Sequence, residues 1–166
     1  TFPTTAPEQQ SQIRNVVLVL ADDMDWKLWR EIPRLAALQA QGTTFTNYVV
    51  SESLCCPSRT TIFRGQYVHN HRVVSNTEAT GGGWPTFRAR GEQNDCLPVW
   101  LKNTGVTTAL FGKFHVGLQG NNPYGIAMPS SLGWQYFNGW LDETGDPSSI
   151  DTTAGGVGAT NDYPNG

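Results

Sequence analysis

The most constraining feature of this sequence is a short apolar run that ends at two adjacent acidic residues. Residues 15–21 read Asn-Val-Val-Leu-Val-Leu-Ala, and Asp22 and Asp23 follow directly. A continuous aliphatic run of this length, rich in β-branched residues, predicts a strand buried on both faces, as strands are inside parallel sheets. Such a strand favours a layered α/β fold in which helices cover the sheet.

The following segments continue this alternation of strand and helix signals. Apolar residues at helical spacing predict a helix over 32–41, with its stripe packed in the core and Gly42 as its cap. Residues 43–50, rich in Thr, Phe, Tyr and Val, predict a second strand. Further along, residues 97–105 predict a helix and residues 106–111 another buried strand.

Two stretches predict irregular structure. Residues 1–12 are polar and contain proline, so they predict an extended arm ahead of a domain over 13–166. Residues 75–95 contain three consecutive glycines and predict a long loop. In that loop, Trp84 and Phe87 either stack on a sugar or aryl ring or pack onto the core.

Charge and cysteine content exclude several functional classes. The net charge of −3 argues against a broad nucleic-acid surface, so local cations must hold any anionic substrate. The longest apolar run is far too short to cross a membrane. The three cysteines show no metal-ligand spacing, and whether Cys56 and Cys96 pair stays open.

The stretch from Ser53 to Gly65 places a nucleophile-sized side chain beside the start of a helix. Pro57 favours the first helical position and Gly65 the residue after the last. Cys55 is therefore expected just ahead of the helix N-terminus, where free N–H groups favour an anion. Arg59 adds a planar donor array. The pattern predicts a site that attacks or holds a sulfate- or phosphate-like group; the alternative is two inert, buried thiols.

Two further groups add candidate site residues. Asp22 and Asp23 offer hard oxygen ligands that suit Ca²⁺ or Mg²⁺, although they would also begin a solvated turn. Lys113 and His115 follow the predicted strand over 106–111, although such residues are also common on exposed turns. His69 and His71 have a weak metal-ligand spacing, and a structural role is favoured for both.

These residues carry a resemblance to a known family. The run from Cys55 to Arg59 (Cys-Cys-Pro-Ser-Arg) resembles the C-x-P-S-R motif of the type I sulfatases. Residues 105–115 resemble the second motif of that family, which ends in G-K-x-H, and depart from it at Phe111, where a smaller residue is usual. Residues 132–140 are similar to the aromatic segment that follows the second motif.

The resemblance implies a fold and a set of site residues. The fold is an alkaline-phosphatase-like α/β fold with helices on both faces of a mostly parallel sheet, of which this chain is the N-terminal portion. A formylglycine-generating enzyme converts Cys55 to formylglycine, whose hydrated aldehyde is the nucleophile. Asp22 and Asp23, with position 55, hold Ca²⁺ or, alternatively, Mg²⁺. Arg59 and His115 hold the hydrated aldehyde, and Lys113 bridges towards the sulfate.

The function implied is hydrolysis of sulfate monoesters of sugars or aryl alcohols, similar to arylsulfatases and N-acetylglucosamine-6-sulfatases. The alternatives are a phosphonate or phosphate ester hydrolase of the same superfamily, or a catalytically inactive fragment with a binding role. The downstream metal-binding and catalytic residues of the family are not among these 166 residues, so the isolated chain is expected to be inactive. The resemblance to this family implies a secreted, periplasmic or lysosomal location.

Overall fold

The computed structural model describes residues 15–115 and 132–140. The chain divides into two compact units, Thr1–Thr46 and Asn47–Gly166. The predicted arm over 1–12 lies outside the described residues.

The described residues of the first unit form two short helices, α1 (Trp26–Arg30) and α2 (Pro33–Gln39). Asp25 caps α1, because its Oδ1 accepts hydrogen bonds from the main-chain N–H groups of Lys27 at 2.7 Å and Leu28 at 2.8 Å. This contact satisfies two of the N–H groups that a helix start leaves without partners. Asp25 is therefore a helix cap.

Helix α2 confirms the helix predicted over 32–41, but not the expected burial of its apolar stripe. No residue of α2 is buried, and Leu38 is 63% exposed. The residue after the helix is Ala40, which keeps right-handed helical angles, so the cap is not a glycine in the left-handed region.

The two strands predicted before the cysteine motif are absent from the described residues. Residues 15–21 and 43–50 form no strand, and the apolar side chains of both segments are exposed, between 45% and 85% for residues 16–20. A strand needs a neighbouring strand to pair its N–H and C=O groups, and no described segment pairs with either stretch. These two predictions are wrong for this structure because the sequence pattern carries no information about the partner.

The second unit contains four helices and two 3₁₀ turns among its described residues. The helices are α3 (Cys55–Arg64), α4 (Val68–His71), α5 (Gly83–Ala89) and α6 (Leu97–Asn103), and the 3₁₀ turns are Glu78–Thr80 and Glu92–Asn94. Helix α6 confirms the helix predicted from Leu97. Helix α5 and the 3₁₀ turns correct the prediction of a long loop over 75–95. Burial of Trp84 and Phe87, 0% and 1% exposed, gives α5 an inner face and excludes an exposed stacking role for these rings.

Helix α3 ends where the sequence predicts and begins slightly earlier. Gly65 follows its last residue with a φ of 60°, a left-handed conformation that glycine adopts without strain. At the other end, Cys55 lies inside the first turn and Leu54 is the capping residue. The expectation that Cys55 precedes the helix is therefore wrong, because the helix begins two residues earlier than predicted, with Pro57 in the third helical position and not the first.

The described sheet consists of two parallel strands, β1 (Ala109–Lys113) and β2 (Tyr136–Trp140), which pair in register from Ala109 with Tyr136 to Lys113 with Trp140. Strand β1 is displaced towards the C-terminus relative to the prediction over 106–111. It is also less buried than expected, since Phe111 is 75% exposed.

One hydrophobic core holds the second unit together. Its buried members are Cys56, Phe63, Val73, Trp84, Phe87, Cys96, Phe114, Leu132, Trp134 and Phe137. Burying a large aromatic or aliphatic side chain contributes about 1.5–3 kcal/mol. Leu132, Trp134 and Phe137 of the aromatic segment over 132–140 belong to this core. Within the described part of the chain, a helix of the length and apolarity needed to span a bilayer is not found.

Candidate active site

Cys55 and Lys113 meet where helix α3 begins and strand β1 ends. The Nζ atom of Lys113 donates to Sγ of Cys55 at 3.4 Å. Cys55 is half-buried, whereas its neighbour Cys56 is fully buried in the core. Within this pair, Cys55 is therefore the thiol that faces the lysine, as the sequence motif predicts.

Arg59 joins the same helix to the same strand. It lies one helical turn after Cys55, which places both residues on one side of α3. Its side chain is buried, with the residue 6% exposed, and NH1 donates to the main-chain oxygen of Lys113 at 2.5 Å. The guanidinium thus fixes the end of β1 against α3, and the structure brings Cys55, Arg59 and Lys113 together.

His115 lies among the aromatic rings of the core. It is 1% exposed, and its ring centroid is 4.6 Å from Phe87, 4.9 Å from Phe114 and 5.9 Å from Phe63. Among the described residues neither ring nitrogen has a hydrogen-bond partner. Burial, followed by the charges of Arg59 and His71, lowers the pKa of His115 to about 3. The ring is therefore neutral at pH 7.

The two acidic residues belong to the first unit. Asp22 and Asp23 are exposed, and Asp23 has a φ of 55°, a left-handed conformation that Asp tolerates better than most residues. Exposed, adjacent carboxylates are a donor set that fits a hard divalent cation. Their assignment as metal ligands stays a prediction.

The two histidines of helix α4 have different environments. His71 is fully buried, and its Nε2 lies 3.1 Å from Thr61 Oγ1. His69 is exposed and stacks on Tyr67, with ring centroids 5.9 Å apart. The structural role favoured for His71 agrees with these contacts.

Sequence reasoning missed Asn76, which contacts the first turn of α3. The N–H of Cys56 donates to Asn76 Oδ1 at 2.9 Å. The sequence indicates only that a cap must come from elsewhere, because Leu54 precedes the helix and has no side-chain oxygen with which to cap it.

Comparison with known proteins identifies the family. The family model described as "Sulfatase" matches residues 14–157. An N-acetylglucosamine-6-sulfatase of Capra hircus is 36% identical over 131 residues, which cover 74% of this chain and 22% of the relative. An arylsulfatase of Volvox carteri is 35% identical over 115 residues, which cover 65% of this chain and 17% of the relative.

An extracellular sulfatase homologue of Drosophila melanogaster is 32% identical over 130 residues, covering 76% of this chain and 11% of the relative. The chain thus spans less than a quarter of the length of these curated relatives. No solved structure matches it. The family model covers most of the 166 residues, and this chain belongs to the sulfatase family.

Proposed function

We propose that this chain carries the nucleophile of a sulfuric ester hydrolase, with Cys55 converted to formylglycine. The observation that carries the proposal is the 3.4 Å contact between Lys113 Nζ and Cys55 Sγ at the start of α3. A cation and a helix N-terminus there favour a bound oxyanion beside the nucleophile. Sulfatase-named relatives at about 35% identity support sulfate as that anion.

The chemistry of the ester explains why an aldehyde serves better than a thiol. A thiol that attacks sulfur forms an adduct with no easy route to release. A hydrated aldehyde has two hydroxyl groups: one attacks sulfur while the bond from sulfur to the ester oxygen breaks and the alcohol leaves with a proton. The second hydroxyl then loses its proton, the carbon–oxygen bond to sulfate breaks, and the regenerated aldehyde takes up water again.

The proposed roles of the other residues follow from their charges. Lys113 neutralises a sulfate oxygen, and Arg59 positions the lysine through its hydrogen bond to the lysine main chain. The resemblance assigns His115 to holding the hydrated aldehyde; its ring is neutral because burial lowers its pKa to about 3, and both ring nitrogens lack a hydrogen-bond partner among the described residues. Asp22 and Asp23, with position 55, would hold Ca²⁺ or Mg²⁺, which supplies charge stabilisation to the sulfate oxygens.

The substrate class we propose is a sulfated sugar or an aryl sulfate, in keeping with the names of the relatives. We also propose a secreted, periplasmic or lysosomal location, which the name of the Drosophila relative supports. A formylglycine-generating enzyme would act on the chain during maturation.

The decisive measurement is the mass of the tryptic peptide Leu35–Arg59 from protein made in the native host. We expect the aldehyde, or its hydrate, at position 55 and an unmodified thiol at position 56. Cys56→Ala is the matched control, because it removes the neighbouring thiol and should leave the aldehyde in place. An unmodified Cys55 in the native protein would overturn the proposal and favour an inactive binding role.

The activity test compares sulfate, phosphate and phosphonate esters of the same aryl alcohol, using the protein from the native host. We expect sulfate to be the preferred substrate and Cys55→Ala to abolish turnover. Lys113→Met should reduce kcat by roughly 10²–10³-fold, as loss of one charge-stabilising group does in other hydrolases. Faster turnover of the phosphonate or phosphate ester would replace the proposed substrate class.

A further inference from the structure

The first turn of helix α3 lacks a capping side chain of its own. Leu54 precedes the helix and makes no side-chain capping bond. Glu52 Oε1 accepts from the N–H groups of Ser53 and Leu54, at 2.9 and 3.3 Å, and so serves the residues ahead of the helix. The N–H of Cys56, the second helical residue, is a donor that an N-cap side chain normally satisfies.

Asn76 performs this capping from a distant position in the sequence. Its Oδ1 accepts from the N–H of Cys56 at 2.9 Å, across a separation of 20 residues. A cap from the adjacent residue would bond the first turn only to its own segment. Capping by Asn76 ties the first turn of α3 to another segment of the unit.

The segment that carries Asn76 is itself closed by main-chain hydrogen bonds. The N–H of Val74 donates to Gly81 O at 2.9 Å, and that of Gly83 donates to Ser75 O at 3.1 Å. Gly82 approaches so closely that an added Cβ would lie 1.7 Å from Ser75 O. Asn76 therefore projects from a closed loop and not from a freely moving one.

The cap lies next to the reacting position. Cys56 is held by its buried side chain and by Asn76, and Cys55 is its immediate neighbour with Sγ 3.4 Å from Lys113 Nζ. We propose that Asn76 is a positioning residue, which fixes the first turn of α3 and so holds the Cys55 side chain against Lys113. The proposal deepens the proposed function, since it rests on position 55 as the reacting centre.

The test uses the 166-residue chain made in a host that leaves Cys55 as a thiol. Cys56 and Cys96 are 0% and 3% exposed, so iodoacetamide reports on Cys55. Lys113→Met should slow alkylation several-fold, because it removes the ammonium group that contacts the sulfur at 3.4 Å. Because Asn76 holds the Cys55 thiol against the Lys113 ammonium, Lys113→Met should have little effect on the alkylation rate when Asn76→Ala is also present.

Asn76→Asp keeps an oxygen acceptor and should restore the effect of the lysine change. Thr77→Ala is the matched control. It removes the 2.8 Å hydrogen bond between Thr77 Oγ1 and Thr80 Oγ1 from the same loop but leaves Asn76 in place, so the effect of Lys113→Met should persist. An equal effect of Lys113→Met with and without Asn76 would overturn the proposal. So would a failure of Asn76→Asp to restore it.

Hydrogen exchange of the Cys56 amide supplies a second readout. Exchange should quicken by roughly fivefold to tenfold in Asn76→Ala and stay slow in Asn76→Asp, in line with the strength of a helix cap. The wild-type chain also tests the idea without any variant, since exchange of this amide at the rate of an unprotected amide would contradict the cap. Neither readout requires sulfate hydrolysis. An unmodified Cys55 in protein from the native host, together with the expected effects of the Asn76 variants, would therefore count against the proposed function alone.

Discussion

The side chain of His71 shows how burial sets a protonation state in this protein. Its Nδ1 accepts from the N–H of Val73 at 3.1 Å, so the proton of the neutral ring lies on Nε2, which faces Thr61 Oγ1 at 3.1 Å. Burial, followed by the charges of Arg90 and Arg64, lowers the pKa of His71 to about 4. A second proton would have to enter at Nδ1, against the N–H of Val73.

We therefore expect the free energy of unfolding to fall as the pH drops from about 6.5 towards 4. The unfolded chain binds a proton at His71 near the ordinary pKa of 6.5, whereas the folded chain does so only near 4. The unfolded state thus binds more protons throughout this window, and the stability present above it is lost. A loss of roughly 2 kcal/mol is expected from urea unfolding curves measured across the window.

The comparison variant is His71→Asn, which offers an acceptor to the N–H of Val73 and does not titrate. It should flatten the pH dependence without abolishing it, because the lowered pKa of His115 acts in the same direction. An unchanged slope in this variant would show that His71 does not control the acid sensitivity.

Individual site residues differ in how far the sequence predicts them. Cys55, Arg59 and Lys113 are identified by short motifs, and the structure brings them into contact. The burial of His115 among aromatic rings depends on Phe63 and Phe87, which come from other segments, so no local sequence pattern predicts this burial. The cap formed by Asn76 is also unpredictable from local sequence, because Asn76 lies 20 residues from Cys56.

At the scale of elements, an ion-pair network holds the far end of α3. Arg64 Nε pairs with Glu92, and NH1 lies 2.8 Å from Asp95 Oδ2. The guanidinium also lies over the ring of Trp100 in α6, 5.9 Å from its centroid. The Arg64 and Glu92 side chains are 9% and 8% exposed, whereas that of Asp95 is 66% exposed. The network therefore contains one buried and one exposed ion pair to the same cation.

We expect Glu92→Gln to destabilise the second unit much more than Asp95→Asn. Removing the Glu92 charge leaves the Arg64 cation largely buried with a weakened partner, at a cost of about 3 kcal/mol. Asp95→Asn keeps an oxygen for the Trp100 indole N–H, which donates to Asp95 Oδ1 at 2.6 Å, and the lost charge is screened by water. Urea unfolding of both variants gives the comparison, and equal losses of stability would contradict the buried pair.

Elements with local signals are predictable from the sequence, whereas those that depend on partners are not. Gly65 and the apolar face of α3 locate one helix, and Leu97 with Pro98 locates α6. Helix α5 was not predicted because three consecutive glycines favour a loop. It forms because Trp84 and Phe87 are buried by distant segments. The strand predicted over 15–21 lacks a described partner, so its apolar pattern alone was not sufficient.

At the scale of the whole molecule, the sequence indicates the fold class but not the pairing of the sheet. The parallel β1–β2 pair and the helices of the second unit are consistent with the α/β fold that membership of the sulfatase family implies. The register of that pair depends on Tyr136 lying opposite Ala109, a relation between segments that neither segment encodes by itself. Residues 16–20 are an example, since this aliphatic run has no partner strand among the described residues and is exposed.

This exposed run predicts that the 166-residue chain associates with itself. Val17 and Val19 are 83% and 80% exposed, and within the described ranges no strand pairs with their segment. An exposed apolar segment of this kind readily pairs with another copy. We expect Val17→Lys combined with Val19→Lys to shift the chain towards monomer in sedimentation velocity over a range of concentrations. The charges oppose pairing because lysines repel one another and stay hydrated when two copies of the segment approach.

The matched control combines Gln39→Lys with Gln41→Lys, at exposed positions in and just after α2. Both pairs add the same positive charge to a chain of net charge −3, so any general effect of charge is common to them. Association must therefore fall in the valine pair and persist in the glutamine pair. A monomeric wild-type chain at every concentration, or an equal effect of both pairs, would show that residues 16–20 do not drive association.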